Sequence, residues 1–354
     1  SQNALQLEKI NSALFVLSLD DTTPTEPKEA MSVFLHNYGL NRWADKSLQF
    51  IVCANSSATI SFEHAWGDGV AVVRLANEIF DTTINKPRPL AIPTSLSPTP
   101  KKLEFRISDR VRDYIDLARN TLKEKADSLS VNVMLYDTFN KKYLKEKQLS
   151  PDAIMQLAFQ LAYYRQYKTS PSTYESCSTA GFRHGRTETV RPASIATMNC
   201  AKGFEAAREG QGVTTNEKIK LIRDAVSWHS KLVREAATGK GFDRHLFALK
   251  CLAEAESASD VPFFKDPSYN KLNNIILSTS TLATPSIAFG GFGPVNEDSY
   301  GIGYRVNDQF LGANVSTYPS RDGAEFVSNL ILSLNEIYEV LESPEYTTES
   351  NKKE

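Results

Sequence analysis

The chain is 354 residues long, with 41% hydrophobic and 23% charged residues, ordinary values for a globular protein able to bury a core. Its formal net charge of −2 excludes a general polyanion binder, so any anion site must be local. Cys53, Cys177, Cys200 and Cys251 lie far apart with no CxxC pair, which argues against a zinc site or a disulfide framework and for a reducing compartment.

No run approaches the roughly 18 apolar residues of a membrane-spanning helix. The start lacks Met, a basic leader and an Arg-rich amphipathic segment, and reads as a polar stretch running into a strand, as expected of an interior fragment or a processed chain. Residues 13–19 form a short apolar run, expected to be a buried strand, and 22–28 a Pro- and Thr-rich loop. Residues 48–55 and 58–64 read as two strands about a polar turn. Period-2 alternation puts Ile60, Phe62 and His64 on one face of the second. A helix is expected over 70–80, and the five prolines within 87–100 mark a linker.

Beyond that point helical signals dominate. Val111, Ile115, Ala118 and Leu122 have helical spacing within 109–128. Ser150-Pro151-Asp152 is a helix start with a cap, a proline in the first turn and a carboxylate at the positive dipole end. The helix that follows, 153–167, is apolar over most of its surface and so central. Thr214 and Glu217 have capping-box spacing before a helix ending near Gly239. Residues 274–279 read as a strand, 301–318 as a hairpin about Asn307-Asp308, and 324–341 as a closing helix. There is no internal repeat.

Five motifs could carry chemistry. His64-Ala65-Trp66-Gly67-Asp68-Gly69 places a histidine at a strand end, four residues before an aspartate and a glycine-rich turn. Histidine suits proton transfer near neutrality, although a lone histidine is more often structural. Lys141, Lys142, Lys145 and Lys147 crowd the approach to the helix start at Ser150, where ammonium groups and free N–H groups suit a phosphate. The competing reading is a solvated charged loop. Thr173 to Ser178 and Gly185 to Thr189 are dense in hydroxyls, with Arg186 between acids; they suit carboxylate binding or simple loop capping. Gly241-Phe242-Asp243-Arg244-His245 reads as a helix start, and Leu277-Ser278-Thr279-Ser280-Thr281 as a hydroxyl-bearing strand exit. Gly290-Gly291-Phe292-Gly293 is glycine-rich without a dinucleotide-loop pattern and suits close ligand approach along a strand. His36, His184, His229 and His245 have no motif of their own and read as structural or exposed.

These motifs, in this order, resemble the carnitine acyltransferase family from about residue 13 to 341. The resemblance implies an α/β (α+β mixed sheet) chloramphenicol acetyltransferase-like fold, with 1–105 the end of a first half carrying the catalytic histidine and 106–354 a complete second half. It implies reversible transfer of an acyl group between coenzyme A and carnitine in a ternary complex. His64 would be the general base, Ser280 the oxyanion donor, and Asp68 a residue that orients or neutralises the site. Tyr174, Ser176, Thr187, Arg244 and Ser278 would contact carnitine. Lys141, Lys145, Asp152, Glu175 and Ser178 would face coenzyme A. Gly290 and Gly291 would leave an acyl channel open to long chains. No metal and no cofactor are implied, since coenzyme A is the acyl-carrying substrate, and no nucleic acid partner. The expected location is mitochondrial, on the matrix side of the inner membrane. Two alternatives stay open: a choline acyltransferase-like enzyme, and a non-catalytic coenzyme A- or acylcarnitine-binding fragment.

Overall fold

The computed structural model describes residues 2–86, 99–256, 261–281 and 284–346. The expected linker prolines up to 98 lie outside the described residues. The chain forms two compact units, 1–128 with Thr284–Ala288, and 129–283 with 289–354. The division falls after residue 128 rather than at the 105/106 boundary read from the sequence. The long helix over 109–128 belongs to the first unit, where its Leu122 lies against Gly39.

The first unit contains α1 (Gln2–Ser12), β1 (Val16–Asp20), α2 (Pro27–Leu35), β2 (Leu48–Cys53), β3 (Ala58–Phe62), α3 (Gly69–Phe80) and α4 (Asp109–Ser128). β2 pairs in parallel with β1 and antiparallel with β3. Ile51, Cys53, Met31, Val72 and Ala76 are among its buried apolar residues. Asp20 ends β1 in a two-pronged ion pair with Arg42, at 2.7 and 3.1 Å, and both side chains are buried. The hydrogen bond from Arg42 holds the Asp20 carboxyl below its ordinary range. α1 stands where a polar stretch was expected. Its Gln, Ala, Leu, Glu and Lys residues are strong helix formers, and none of its side chains is buried, so local propensity rather than packing explains it.

The second unit runs β4 (Ser130–Tyr136), α5 (Lys141–Glu146), α6 (Pro151–Tyr167), β5 (Thr173–Ser178), β6 (Thr187–Val190), α7 (Ile195–Arg208), α8 (Thr215–Ala237), α9 (Asp243–Ala255), α10 (Pro262–Lys265), α11 (Pro267–Asn273), β7 (Leu277–Thr281), β8 (Tyr300–Val306), β9 (Leu311–Thr317) and α12 (Gly323–Leu341). Its sheet has the order β4-β9-β8-β7-β5-β6. β5, β7 and β8 are mutually parallel, while β4, β9 and β6 pair antiparallel with their neighbours. The architecture is therefore the expected mixed α/β.

α6 is the central helix, as its sequence indicated: every residue from Ala153 to Tyr163 is buried. Ser150 caps it by accepting a hydrogen bond from the Ala153 N–H. α7, α8 and α12 pack around it and contribute Phe204, Ile222, Phe326 and Leu334 to a core shared with Leu277, Tyr300, Ile302 and Val315 of the sheet. Arg165 near its C-terminus is buried and pairs with Glu205 of α7 at 3.0 Å and Glu336 of α12 at 2.6 Å, which ties the three helices together. The capping box of α8 forms as expected, with Thr214 and Glu217 each bonded to the other's backbone N–H.

The segment 290–293 is not a strand. It lies across β8 and β9 as irregular chain, held by the Asn314 side chain donating to the Gly290 carbonyl at 2.6 Å and the Ser316 hydroxyl donating to the Phe292 carbonyl at 2.6 Å. The approach is so close that a Cβ on Gly303 would sit 2.6 Å from the Gly290 oxygen. Gly303→Ala is expected to lose about 1–3 kcal/mol of stability by overpacking. Gly290→Ala, whose Cβ would meet nothing within 4 Å, should leave the urea unfolding midpoint in place.

Candidate active site

In the first unit β3 stops at Phe62, so His64 does not end a strand. It sits in the turn that follows and is exposed. The reason is local: the Glu63 N–H makes a last bond to the Ser47 carbonyl, and the Trp66 indole then closes the turn on that same carbonyl at 2.9 Å. The expected alternation survives as a ring contact between Phe62 and His64, with centroids 4.7 Å apart. Asp68 takes the N-cap position of α3, with extended backbone, and its carbonyl accepts the Ala71 N–H at 2.9 Å.

The second unit divides its candidate residues between the two faces of its sheet. Register places Tyr174 beside Ser278, Ser278 beside Gly301, and Gly301 beside Ser316. Paired residues share a face, so these form one row, with Ser280, Gly303 and Asn314 forming the next. Ser176 with Thr189, and Ser178 with Thr187, continue the same face onto β6. The face away from α6 is therefore built of hydroxyls and glycines.

Arg244, at the start of α9, reaches this face. One terminal guanidinium nitrogen donates to the Tyr174 hydroxyl at 3.2 Å and the Thr187 hydroxyl at 3.4 Å, and its Nε donates to the Thr187 carbonyl at 3.3 Å. The backbone behind it is anchored by Glu188, whose carboxylate accepts from the Arg244 N–H at 3.2 Å and the Thr189 N–H at 2.7 Å. Gly241 leaves room for that carboxylate: a Cβ there would lie 2.3 Å from the Glu188 side chain. Asp243 is bound to Arg191 at 2.6 Å, which pins the first turn. A permanently charged fork beside two hydroxyls is suited to a carboxylate. Tyr174, Thr187 and Arg244 are thus together, with Ser278 next to Tyr174 and Ser176 and Ser280 on the same face.

Glu175, expected on the coenzyme A side with Ser178, alternates away from it. Ser178 is exposed on the hydroxyl face, whereas Glu175 points under the sheet and is buried. There it meets Asp152, His229 and Tyr304. The Tyr304 hydroxyl donates to Asp152 at 2.6 Å, and His229 Nε2 lies 3.2 Å from Asp152 and 3.3 Å from Glu175. The His229 hydrogen bond is made to Asp152, and the second Glu175 oxygen is left without a hydrogen-bond partner among the described residues. Burial, then the neighbouring Asp152 charge, pushes the Glu175 carboxyl well above its ordinary range. Burial also works against the Asp152 carboxylate, but hydrogen bonds from His229 and Tyr304 outweigh it and hold that carboxyl low. Burial, reinforced by the two carboxyls, raises the Tyr304 phenol well above 10.0. The ligand atoms of Asp152, Glu175 and His229 all lie within 4.8 Å of one another, and among the described residues they are the group spaced to bind a metal ion.

Reading His229 as structural or exposed missed this cluster, and Tyr304 was not singled out at all. A signal existed. Ile219, Ile222, Val226 and His229 form the buried stripe of α8, so His229 sits at a core position where a polar ring needs a partner. Tyr304 falls likewise on the buried stripe of β8 with Tyr300 and Ile302.

The lysine run is a short helix, α5, capped by the Asn140 side chain, rather than a loop. Lys141 and Lys145 are one turn apart on it. Lys147 ties the end of α5 to the end of α12, pairing with Glu342 at 2.9 Å and donating to the Leu341 carbonyl at 2.8 Å.

A family model described as choline/carnitine O-acyltransferase matches residues 1–331. The chain is 43% identical over 344 residues to carnitine O-palmitoyltransferase 2, mitochondrial, of Bos taurus, covering 96% of this chain and 52% of the relative. It is 35% identical over 328 residues to the carnitine O-acetyltransferase of Homo sapiens, covering 90% of this chain and 52% of the relative. The chain therefore spans about half the length of the curated relatives it matches. Among solved structures, one on condensation domain-mediated chain release from the enacyloxin polyketide synthase aligns at 12% identity over 93% of this chain and 69% of that one, with a TM-score of 0.45, too distant to carry weight. Among the described residues no helix is long and apolar enough to cross a membrane.

The two carboxyls predict opposite pH dependences of stability. Asp152 is lowered by folding, so its contribution is present above its unfolded pKa of about 3.9 and is lost as pH falls through the folded value. Glu175 is raised, so its contribution is full below its unfolded pKa of about 4.3 and is lost as pH rises through the folded value. Glu175→Gln, which mimics the protonated form, is expected to raise the thermal midpoint near about pH 8 and change it little near about pH 4.

Proposed function

The chain belongs to the choline/carnitine O-acyltransferase family, and on that premise we propose that its protein transfers acyl groups reversibly between coenzyme A and carnitine. The observation that carries the choice of alcohol is Arg244 held against the Tyr174 and Thr187 hydroxyls. Carnitine has a carboxylate to occupy that fork, with Ser176 and Ser278 on the same face. Choline has none, and a bare guanidinium would repel its ammonium.

In the transfer, His64 takes the proton from the carnitine hydroxyl as the oxygen attacks the thioester carbonyl. The oxyanion forms against the Ser280 hydroxyl and carnitine's own ammonium, a kind of support worth about 3–4 kcal/mol in known oxyanion holes. The C–S bond then breaks, and His64 returns the proton to the thiolate. Holding both substrates at once makes the step effectively unimolecular and requires no acyl-enzyme. Asp68 orients or neutralises this machinery. Lys141 and Lys145 face the phosphate of coenzyme A, with Asp152 at the α6 N-terminus and Glu175 beneath it. Ser178 would meet coenzyme A from the other face of the sheet, where it is exposed. The open space at Gly290 favours a long acyl chain along 290–291. The bovine relative is named mitochondrial, and the same location, on the matrix side, is proposed here.

An acyl-CoA panel offered carnitine or choline tests the reading; turnover with choline alone would overturn it. His64→Ala in the full-length protein is expected to lower turnover by at least about a hundredfold, with carnitine affinity by calorimetry little changed. Near-normal turnover would remove His64 from the chemistry. Ligand binding without turnover in the unsubstituted protein would favour a binding-only role.

A further inference from the structure

The group beneath the sheet is more ordered than an accidental clustering of acids. Gln156, buried on α6, has one side-chain NH2 with two hydrogens, and both are used. One goes to the Thr279 hydroxyl at 2.9 Å and the other to the Tyr304 hydroxyl at 3.2 Å. Each hydroxyl therefore accepts from Gln156 and must spend its own hydrogen elsewhere. Thr279 donates to the Tyr174 carbonyl at 2.8 Å, and Tyr304 donates to Asp152 at 2.6 Å. The run from the Tyr174 backbone to Asp152 is thereby hydrogen-bonded throughout, with Glu175 a second and longer acceptor for the Tyr304 hydroxyl at 3.4 Å and the Gln156 side-chain oxygen without a partner among the described residues. His229 closes the other side of the carboxylate at 3.2 Å. Asp152 thus has one oxygen held from β8 and the other from α8, and it cannot rotate without breaking one of them.

We propose that Tyr304 and His229 are positioning residues for coenzyme A, fixing the Asp152 carboxylate at the mouth of α6 through one hydrogen bond to each of its oxygens, with Gln156 setting the direction of the Tyr304 donation. The proposal rests on the reading of Asp152 as a coenzyme A contact. The polar ends of these side chains are not needed to build the fold's apolar core: the Tyr304 ring packs edge-on against Phe159 at 5.4 Å, a contact that phenylalanine retains.

The test is steady-state kinetics on the full-length protein, varying acyl-CoA and carnitine separately. Tyr304→Phe is expected to raise KM for acyl-CoA by about tenfold, the scale of losing a hydrogen bond to a charged group, while KM for carnitine stays within about twofold. His229→Leu should do the same, and His229→Gln, which keeps a donor near the Nε2 position, should recover most of it. In an Asp152→Ala background Tyr304→Phe should add little, because the carboxylate it positions is gone. An unchanged acyl-CoA KM in Asp152→Ala would overturn both this proposal and the reading beneath it. A raised KM in Asp152→Ala with none in Tyr304→Phe, or equal rises for both substrates, would overturn the positioning role alone.

Discussion

The second unit depends on one constraint: α6 is buried on every side yet carries polar side chains, whose donors find partners in the dry interior while the Gln156 and Gln160 side-chain oxygens have none among the described residues. An unpaired buried donor costs about 1–3 kcal/mol, so the pairing of these donors favours one register and rotation of the helix. Gln156 meets Thr279 and Tyr304, Gln160 meets Thr173, and Arg165 meets Glu205 and Glu336. These contacts run to β5, β7, β8, α7 and α12. The helix that supplies apolar area to the core is therefore also the ruler that sets strand β7 against β5, and with them the hydroxyl face above.

Alternation along the strands then separates two kinds of chemistry. On the face away from α6 the side chains are small: hydroxyls of β5, β6 and β7 lie beside Arg244 reaching in from α9, and the glycines of β8 make room for the 290–293 segment. On the covered face the same strands present Glu175, Thr279 and Tyr304 to the helices. The two faces share backbone, so the Thr279 bond that steadies the Tyr174 carbonyl from below also steadies the ring that meets Arg244 above. Packing and recognition are consequences of a single strand register.

Charge is handled differently on the two faces. Arg244 is exposed and keeps its charge in reach of water and ligand. Glu175 is buried while the Asp152 beside it keeps about a third of its side chain exposed, and two neighbouring carboxylates there would repel strongly. Burial and the Asp152 charge raise the Glu175 carboxyl well above its ordinary range, while hydrogen bonds from His229 and Tyr304 hold the Asp152 carboxyl low. The opposite shifts of the two carboxyls ease the repulsion between them.

Local grammar made much of this legible in the amino-acid order. Ser150-Pro151-Asp152 announced α6, Thr214 and Glu217 announced α8, and the asparagine-aspartate pair at 307–308 announced the β8–β9 hairpin, because caps and turns are decided by neighbours a few residues apart. The motifs also named Tyr174, Thr187 and Arg244, which the fold brings together, but neither His229 as a site residue nor Tyr304. Other features needed the folded chain. Nothing in the order of residues says that Glu175 faces away from Tyr174 and Ser176 into a cluster with Asp152, because the partners come from β8 and α8, 129 and 54 positions later. The histidine turn closes after Phe62 because of Trp66 and Ser47, and the 290–293 segment leaves the sheet because Asn314 and Ser316 hold it there. Short-range preferences could be read from the sequence. Contacts between distant strands and helices, which choose the face each side chain occupies, were decided only by tertiary packing.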